Sequence, residues 1–225
     1  MKFLLATLSL LAGAALAPIS HGQEIPLYET GPAEDSAFIR FVNSTDAALV
    51  VKAEGSKTSL PLDAGKPASN FLPVPAKRAL KGQFVQGDAH APTETTVEPG
   101  EFATVIALPA GKGGLAVQTI RETPDDFNAL KASVGLYNLA PACADATVKA
   151  AGRNVTLFSG VAVGEPSKRL QINPVPLSVQ LFCAGRETGE PVSLGTLEAG
   201  ERYTLFLVPA GDESRLFHAV DAVSF

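Results

Sequence analysis

The segment VEPGEFATVIALPAG at residues 97–111 returns as LEAGERYTLFLVPAG at residues 197–211, 100 positions later and without a gap. Seven of the fifteen aligned positions are identical, which is far above chance. Two weaker echoes precede it in the same order, FIRFVN and VGLYN at 38–43 and 134–138, and VVKAEG and TVKAAG at 50–55 and 147–152. A period near 100 residues is too long for a solenoid and has the size of a whole domain. We therefore expect two related domains in tandem.

The composition and the turn residues predict many short strands. The 225 residues include 20 glycines and 17 prolines, and apolar runs alternate with turn signals such as EGSK, DAGK and EPGE. Pro99-Gly100 has the chemistry of a type II turn, and the second copy keeps only Gly200, the residue that must reach positive φ. Six or seven strands per copy, about 8–15 residues apart, favour an antiparallel sandwich in each half.

The expected fold class is therefore all-β, with two tandem related antiparallel β-sandwich domains joined by a short linker. The first domain is expected at 36–122 and the second at 133–225. The linker at 123–132 is expected to form one or two helical turns within PDDFNALK, capped by Thr123. A polar lead-in over 23–35 is expected to be extended.

Residues 1–22 have the pattern of an export signal, with Lys2, the apolar run FLLATLSLLAGAALA and small residues after it. No later apolar stretch approaches the length of about 18 residues that a membrane span needs, so we expect no membrane span in the mature chain. The formal net charge of −5 argues against a nucleic-acid partner.

The two cysteines, Cys143 and Cys183, both lie in the second copy. One pair in an exported chain predicts one disulfide. In SVQLFC (178–183), strand alternation places Cys183 on the same face as Val179 and Leu181, toward the core. The bridge would stabilise the fold by roughly 4 kcal/mol in the chain-entropy model. The alternative of redox-active thiols lacks a CxxC spacing, and we expect no metal and no cofactor.

A search for catalytic constellations yields no candidate. No GxSxG motif occurs. His90 is expected in a loop and His218 in a strand as a half-exposed residue, because nothing in the sequence supplies the partners that a general base needs. Asp125 and Asp126 are expected to be a solvated helix start.

The tightest basic cluster is formed by Lys77, Arg78 and Lys81, with Lys168 and Arg169 in the other copy. A solvated face is the expected role of both groups, and a patch for an acidic partner or an anionic glycan is the alternative. Tryptophan is absent and only three tyrosines occur, which argues against a strong aromatic platform for sugars.

Five segments together carry a family resemblance: LYETGP (27–32), SAFIRFVN (36–43), VGLYN (134–138), CAD (143–145) and TLEAGERYTLFLVPAG (196–211). In this order and combination, the chain resembles the AlgF family of periplasmic proteins in alginate O-acetylation. The resemblance spans essentially all of the mature chain, and no single motif is diagnostic.

The resemblance implies two β-sandwich modules, a periplasmic location and an accessory role in adding acetyl groups to mannuronate residues of this biofilm exopolysaccharide. The implied partners are the periplasmic alginate O-acetyltransferase components and the membrane acyltransferase. No catalytic motif is carried over, so a non-catalytic adaptor is expected rather than an enzyme. The alternatives are a carbohydrate-binding module that guides the alginate polymer and a direct acetyl carrier that would form a transient acetyl-serine.

A partner-binding patch is expected at a face shared by the two domains or along the lead-in around Leu27 and Tyr28. The basic residues Lys77, Arg78 and Lys81 are the other candidates for this contact.

Overall fold

Sixteen strands make up most of what this computed structural model describes, which is residues 36–123 and 128–224. The strands of the first copy are β1 Ser36–Asn43, β2 Leu49–Ala53, β3 Ser59–Leu62, β4 Leu72–Pro75, β5 Ala79–Gln86, β6 Ala89–Thr96, β7 Phe102–Ala110 and β8 Gly114–Glu122. Those of the second are β9 Ala132–Asn138, β10 Thr147–Ala150, β11 Val155–Ser159, β12 Leu170–Ile172, β13 Pro176–Cys183, β14 Arg186–Thr196, β15 Arg202–Ala210 and β16 Glu213–Val220. The all-β prediction is confirmed.

Several predictions fall outside the described residues. The export signal, the extended lead-in with Leu27 and Tyr28, and the pair Asp125-Asp126 are among them. At the described end of the linker, residues 128–131 form a turn in which Lys131 N–H donates to the carbonyl of Asn128 at 3.2 Å. β9 then begins at Ala132, one residue before the predicted start of the second domain.

The two copies have the same sheet topology. The first sandwich consists of sheets β4-β1-β7-β8 and β3-β2-β5-β6, and the second consists of β12-β9-β15-β16 and β11-β10-β13-β14. We call the first sheet of each pair the inner sheet and the other the outer sheet. Each inner sheet contains one parallel pair, β1 with β7 and β9 with β15, where the sequence predicted antiparallel pairing throughout. The long excursion of the chain through the outer sheet supplies the crossover that a parallel pair needs.

The four sheets form four layers, with an apolar core between each pair of neighbouring layers. One core fills the first sandwich and a larger one fills the second. The third core joins the two inner sheets, and its members are Val42, Ala68, Ile106, Ile120, Tyr137, Leu139, Phe206 and Val208. β7 and β15 are therefore buried on both faces, which explains their nearly continuous apolar sequence.

The third core fills the centre of the face shared by the two copies, so the partner-binding patch expected at a shared face stays a prediction for the exposed surface around it. Ile106 and Phe206 are completely buried there. An apolar face that is already covered inside the chain has no surface left to offer a partner.

Proline explains two of the strands that the sequence did not reveal. β3 and β6 contain Pro61 and Pro92, and each lies at the edge of its sheet. Proline lacks the N–H that a central strand must donate, so it is tolerated at edges and lowers the strand signal of the sequence. His90 is part of β6, opposite Val85, so its predicted loop position was wrong.

The repeated turns take the predicted form. Gly100 has φ of 74° and Gly200 has φ of 82°. In the first turn, the N–H of Glu101 donates to the carbonyl of Glu98 at 3.0 Å. This region of backbone space favours glycine, which is why both copies keep it.

The predicted disulfide joins Cys143 and Cys183 across 40 residues. By strand register, the position of Cys183 in β13 corresponds to Gln86 in β5. Gln86 makes the equivalent tie with hydrogen bonds, because its Nε2 donates to Thr45 Oγ1 at 2.6 Å and to the carbonyl of Ala47 at 2.9 Å. The same loop is thus fastened covalently in one sandwich and by hydrogen bonds in the other.

Replacing both cysteines (C143S/C183S) is expected to lower the free energy of unfolding by about 2–4 kcal/mol, because the unfolded chain regains the freedom of the closed loop. The matched change Gln86→Ala removes the hydrogen-bonded tie and should cost about 1 kcal/mol. Urea unfolding followed by circular dichroism measures both. A serine variant as stable as the parent would contradict the structural role of the bridge.

Candidate functional site

The carboxylate of Asp221, just after β16, lies at the centre of a buried ion cluster between the inner sheets. It accepts hydrogen bonds from Arg40 Nη1 at 2.5 Å and from Arg169 Nη2 at 2.8 Å. Thr204 Oγ1 lies 2.8 Å and 2.9 Å from its two oxygens. The side chain of Asp221 is only 3% exposed and that of Arg40 is fully buried.

A second carboxylate, Glu122 at the end of β8, completes the cluster. Arg169 Nη1 lies 3.2 Å from both of its oxygens, and the hydroxyl of Tyr137 donates to it. Arg169 therefore bridges two carboxylates, while Arg40 binds one of them and donates from Nε to Thr104 Oγ1 at 2.9 Å. Two cations and two anions balance within this described set.

The acidic and hydroxyl members of the cluster are repeat positions. Thr104 and Thr204 are identical residues 100 positions apart. Glu122 pairs with Phe102 at the end of β8, and Asp221 donates its N–H to the carbonyl of Arg202 at the same place in the second copy. The turn between β15 and β16 is one residue shorter, so these acids are 99 positions apart.

The two arginines, by contrast, come from different repeat positions. By register, Arg40 in β1 corresponds to Gly135 in β9, and Arg169 before β12 corresponds to Phe71 before β4. The second copy has glycine where the first has Arg40 for a steric reason. A Cβ on Gly135 would lie only 3.0 Å from Arg169 Nη1. Each copy thus contributes one arginine, and the glycine makes room for the second.

Neighbouring charges fix the ionisation states. Burial acts to raise the pKa of Asp221, but the attraction of Arg40 and Arg169 outweighs it and lowers that pKa below 3.8. Burial acts to lower the pKa of Arg169, and the attraction of Asp221 and Glu122 outweighs it and raises that pKa. Burial raises the pKa of Tyr137, which keeps its hydroxyl protonated as a donor.

Aromatic rings complete the surroundings of Arg40. Its guanidinium lies 4.4 Å from the ring centroid of Phe71 and 5.0 Å from that of Phe206. Nη2 is buried and makes no hydrogen bond to any residue in 36–123 or 128–224. The ring faces supply the electrostatic contact that it has instead.

The end of the chain holds Asp221 in place. The N–H of Phe71 donates to the carbonyl of Ala222 and the N–H of Ser224 donates to the carbonyl of Phe71, both at 2.8 Å. The end of the second copy therefore pairs with a strand-edge residue of the first. Among the described residues, the cluster therefore ties the two sandwiches together through ion pairs and hydrogen bonds between the inner sheets.

The structure places the predicted basic residues in three different environments. Lys77 and Arg78 are exposed on the connection between β4 and β5. Lys81 lies in β5 and pairs loosely with Glu94 at 3.6 Å. Arg169 was expected with Lys168 on a solvated face, and this was wrong, because its side chain is 6% exposed and belongs to the ion cluster.

His218 lies half-buried in β16, as predicted, opposite Leu205. Burial lowers its pKa. By register its counterpart in the first copy is Thr119, since Val105 pairs with Thr119 where Leu205 pairs with His218. Gln118, which lies 100 residues before His218 in the sequence, is therefore not its structural counterpart.

A surface feature is also duplicated. Lys52 and Gln83 are cross-strand neighbours on the first outer sheet, and Lys149 and Gln180 are cross-strand neighbours on the second. Each pair lines a shallow groove, of about 520 Å³ and 480 Å³, with Pro92 and Pro191 respectively. The two outer sheets therefore display related polar grooves.

Among the described residues, no helix is long and apolar enough to cross a membrane. The disulfide is typical of a protein that resides in an oxidising compartment outside the cytoplasm.

No family model and no curated protein matches the chain. Among solved structures, it is similar to the C-terminal domain of AlgF from P. aeruginosa, with 22% identity, a TM-score of 0.34, and coverage of 40% of this chain and 98% of that one. It is also similar to proposed cell adhesion proteins from Bacteroides uniformis and Bacteroides ovatus, at 9% and 8% identity, TM-scores of 0.24 and 0.26, and coverage of 84% and 86% of this chain and 98% and 99% of those. Likenesses this distant carry no argument about activity.

Replacing Asp221 by asparagine is expected to lower the free energy of unfolding by about 3–5 kcal/mol, because Arg40 and Arg169 stay buried without the carboxylate that lies between them. The lowered pKa of Asp221 means that its contribution is present above about pH 4 and is lost as the pH falls further. The variant should therefore show a shallower loss of stability in acid than the parent.

Urea unfolding at several pH values measures this effect, and Asp212→Asn in the exposed turn before β16 is the matched control. A D221N protein with unchanged stability at pH 7 would contradict the role given to the cluster.

Proposed function

We propose that this chain is a non-catalytic periplasmic accessory protein in the O-acetylation of alginate, acting through contacts with the acetyltransferase components. The resemblance of its ordered segments to the AlgF family supports this function. One structural observation supports the mode of action: the ion cluster between the inner sheets fixes two sandwiches relative to each other, so each presents its outer sheet and its edges.

A rigid pair of surfaces suits a scaffold. Binding partners to a body that is already ordered avoids the entropy cost of fixing two mobile modules. A second contact on the same body then benefits from a high effective concentration. In this account the ion cluster has no chemical step to perform, and its role is to preserve the geometry of both surfaces.

The exposed cations Lys77 and Arg78 are the described residues we propose for the partner contact, with Leu27 and Tyr28 of the lead-in as further candidates. Lys77 has φ of 59°, and its N–H donates to the carbonyl of Val97 at 2.8 Å. The connection that carries both cations is thus held at a defined place, which favours recognition of a fixed acidic surface.

The purified chain is expected to form a complex with the periplasmic acetyltransferase components, and K77Q/R78Q should weaken it by roughly two- to thirtyfold. The estimate follows because exposed ion pairs contribute about 0.2–1 kcal/mol each. Biolayer interferometry at low and moderate salt measures the affinity. Lys112→Gln, in the turn after β7, is the control and should leave it unchanged.

The same proposal predicts that cells lacking the chain, with all other components intact, make alginate with little acetyl. Absence of any complex at low salt together with normal acetyl content of the polymer would contradict it.

The duplicated Lys/Gln grooves favour a second candidate, a carbohydrate-binding module that guides the polymer. In this candidate each lysine meets a uronate carboxylate, and Gln83 meets a hydroxyl in the first groove. Gln180 is 7% exposed and its Nε2 donates to backbone carbonyls, so it is not available in the second groove. The buried state of Tyr137 and Tyr203, 1% and 4% exposed, removes them as stacking platforms for sugar rings. Any binding would therefore rest on polar contacts, and we expect it to be weak.

Calorimetry with mannuronate oligomers tests this candidate. It predicts binding at about millimolar concentration that K52Q/K149Q abolishes, while K112Q retains it. Binding weaker than about 10 mM would exclude a guiding role.

A further inference from the structure

The first sandwich holds an open cavity of about 670 Å³ between its two sheets. The inner sheet contributes only apolar side chains to the wall of this cavity, and they are Ile39, Phe41, Leu72, Val74 and Val105. The volume lies in the range typical of small-molecule sites, which are concave and mostly apolar. Binding of a small molecule here would be separate from the adaptor function proposed above.

The opposite wall, formed by the outer sheet, carries hydroxyl groups. Thr93 and Thr95 line the cavity and alternate in β6 with the exposed Glu94 and Thr96, so their side chains lie between the sheets. Thr95 is only 5% exposed. Within the part of the chain that the structure describes, neither threonine hydroxyl makes a hydrogen bond. A buried hydroxyl without a partner is costly, so a ligand with a hydrogen-bonding group would suit this wall.

The repeat shows that the second sandwich has larger or more apolar residues at equivalent places. Strand register relates Thr93 to Val192, Leu60 to Phe158, Val74 to Ile172 and Val105 to Leu205. Ile39 and Phe41 are larger than their counterparts and offset part of this difference. Phe158 is 5% exposed, whereas Leu60 is half-exposed, so the first copy leaves open a space that the second copy fills.

The charged residues of the lining do not select an ion. Lys52 and Lys81 are exposed and alternate with inward residues of β2 and β5, so they lie on the outer face of the sheet. Glu54 is exposed on the same face, and its N–H donates to the carbonyl of Lys81 at 2.9 Å. Lys81 also pairs with Glu94 at 3.6 Å. A charged ligand would therefore leave water without gaining a counter-ion between the sheets.

We propose that this cavity binds an uncharged amphiphile with one aliphatic chain and a hydroxyl-bearing head. The apolar wall of the inner sheet suits the methylene chain. The hydroxyl of Thr95 suits the head, because a hydroxyl can both donate and accept a hydrogen bond. The lining favours this occupant over an amphiphile with a carboxylate or ammonium head.

A chain-length series tests the apolar wall and the neutral head together. Fatty alcohols of increasing length should displace the uncharged fluorescent probe N-phenyl-1-naphthylamine, with affinity rising by up to about fourfold per methylene until the cavity is full. The fatty acid of equal length, in its ionised form, should bind more weakly because its carboxylate loses water without gaining a partner. A series without length dependence, or an acid that binds as tightly as the alcohol, would overturn the proposal.

The variant Thr95→Val tests the hydrogen bond, because it keeps the branched shape of the side chain and removes the hydroxyl. It should weaken binding of the alcohol by about two- to tenfold and leave the affinity for the probe unchanged. Thr95→Ser should bind the alcohol like the parent. An equal loss for the alcohol and the probe, or no loss for either, would overturn the role given to Thr95.

Two blocking variants place the ligand between the sheets. Thr93→Phe adds a ring on the cavity side of β6, and Leu60→Trp enlarges a half-exposed lining residue of β3. Both should weaken binding of the probe and the alcohol by at least about tenfold. Thr96→Phe adds the same ring on the exposed face of β6, so it is the matched control and should bind like the parent.

Thermal unfolding shows which of these variants are folded. Parent-like binding by folded T93F and L60W would place the ligand outside the cavity and overturn the proposal. Failure of the parent to bind either the probe or any alcohol would also overturn it, and selective displacement of the probe by an apolar peptide would assign the cavity to a different occupant.

Discussion

The carboxylate of Asp221, held between Arg40 and Arg169, is the contact on which the arrangement of the two sandwiches depends. Removing four charged groups from water is costly, and an apolar cluster of the same shape would often be as stable. The driving force for joining the sheets therefore comes from the third apolar core, with Ile106 and Phe206 completely buried. We assign to the ion cluster the selection of one register, since a shifted joint would leave buried charges unpaired.

This joint decides where function can lie. The facing sides of the two inner sheets are related surfaces, and they contact each other through nearly equivalent residues. This resembles the interface of a symmetric dimer, but here both surfaces belong to one chain. That contact buries the facing sides of the inner sheets. Partners can therefore bind the outer sheets, the sheet edges and the loops between strands. The first copy additionally keeps an open cavity of about 670 Å³ between its two sheets.

The sequence predicted what local chemistry controls. The repeat predicted two sandwiches, turn glycines such as Gly100 predicted the turns, and the cysteine pair predicted the disulfide. It missed edge strands, because Pro61 and Pro92 suppress the strand signal in places where a missing N–H is harmless. It also missed the ion cluster, whose members come from distant segments that no periodicity connects. The sequence does contain polar residues in unexpected places: Thr104 and Thr204 recur inside an apolar run, and Arg40 interrupts another. Their role in an ion cluster became clear only from the contact between the inner sheets.

Differential scanning calorimetry of the chain tests most directly whether the contact between the inner sheets makes the two sandwiches one cooperative unit. We expect a single transition whose calorimetric and van't Hoff enthalpies agree, because neither sandwich can unfold without exposing the third core and the cluster. Two separate transitions, or a calorimetric enthalpy about twice the van't Hoff value, would show independent domains and contradict it.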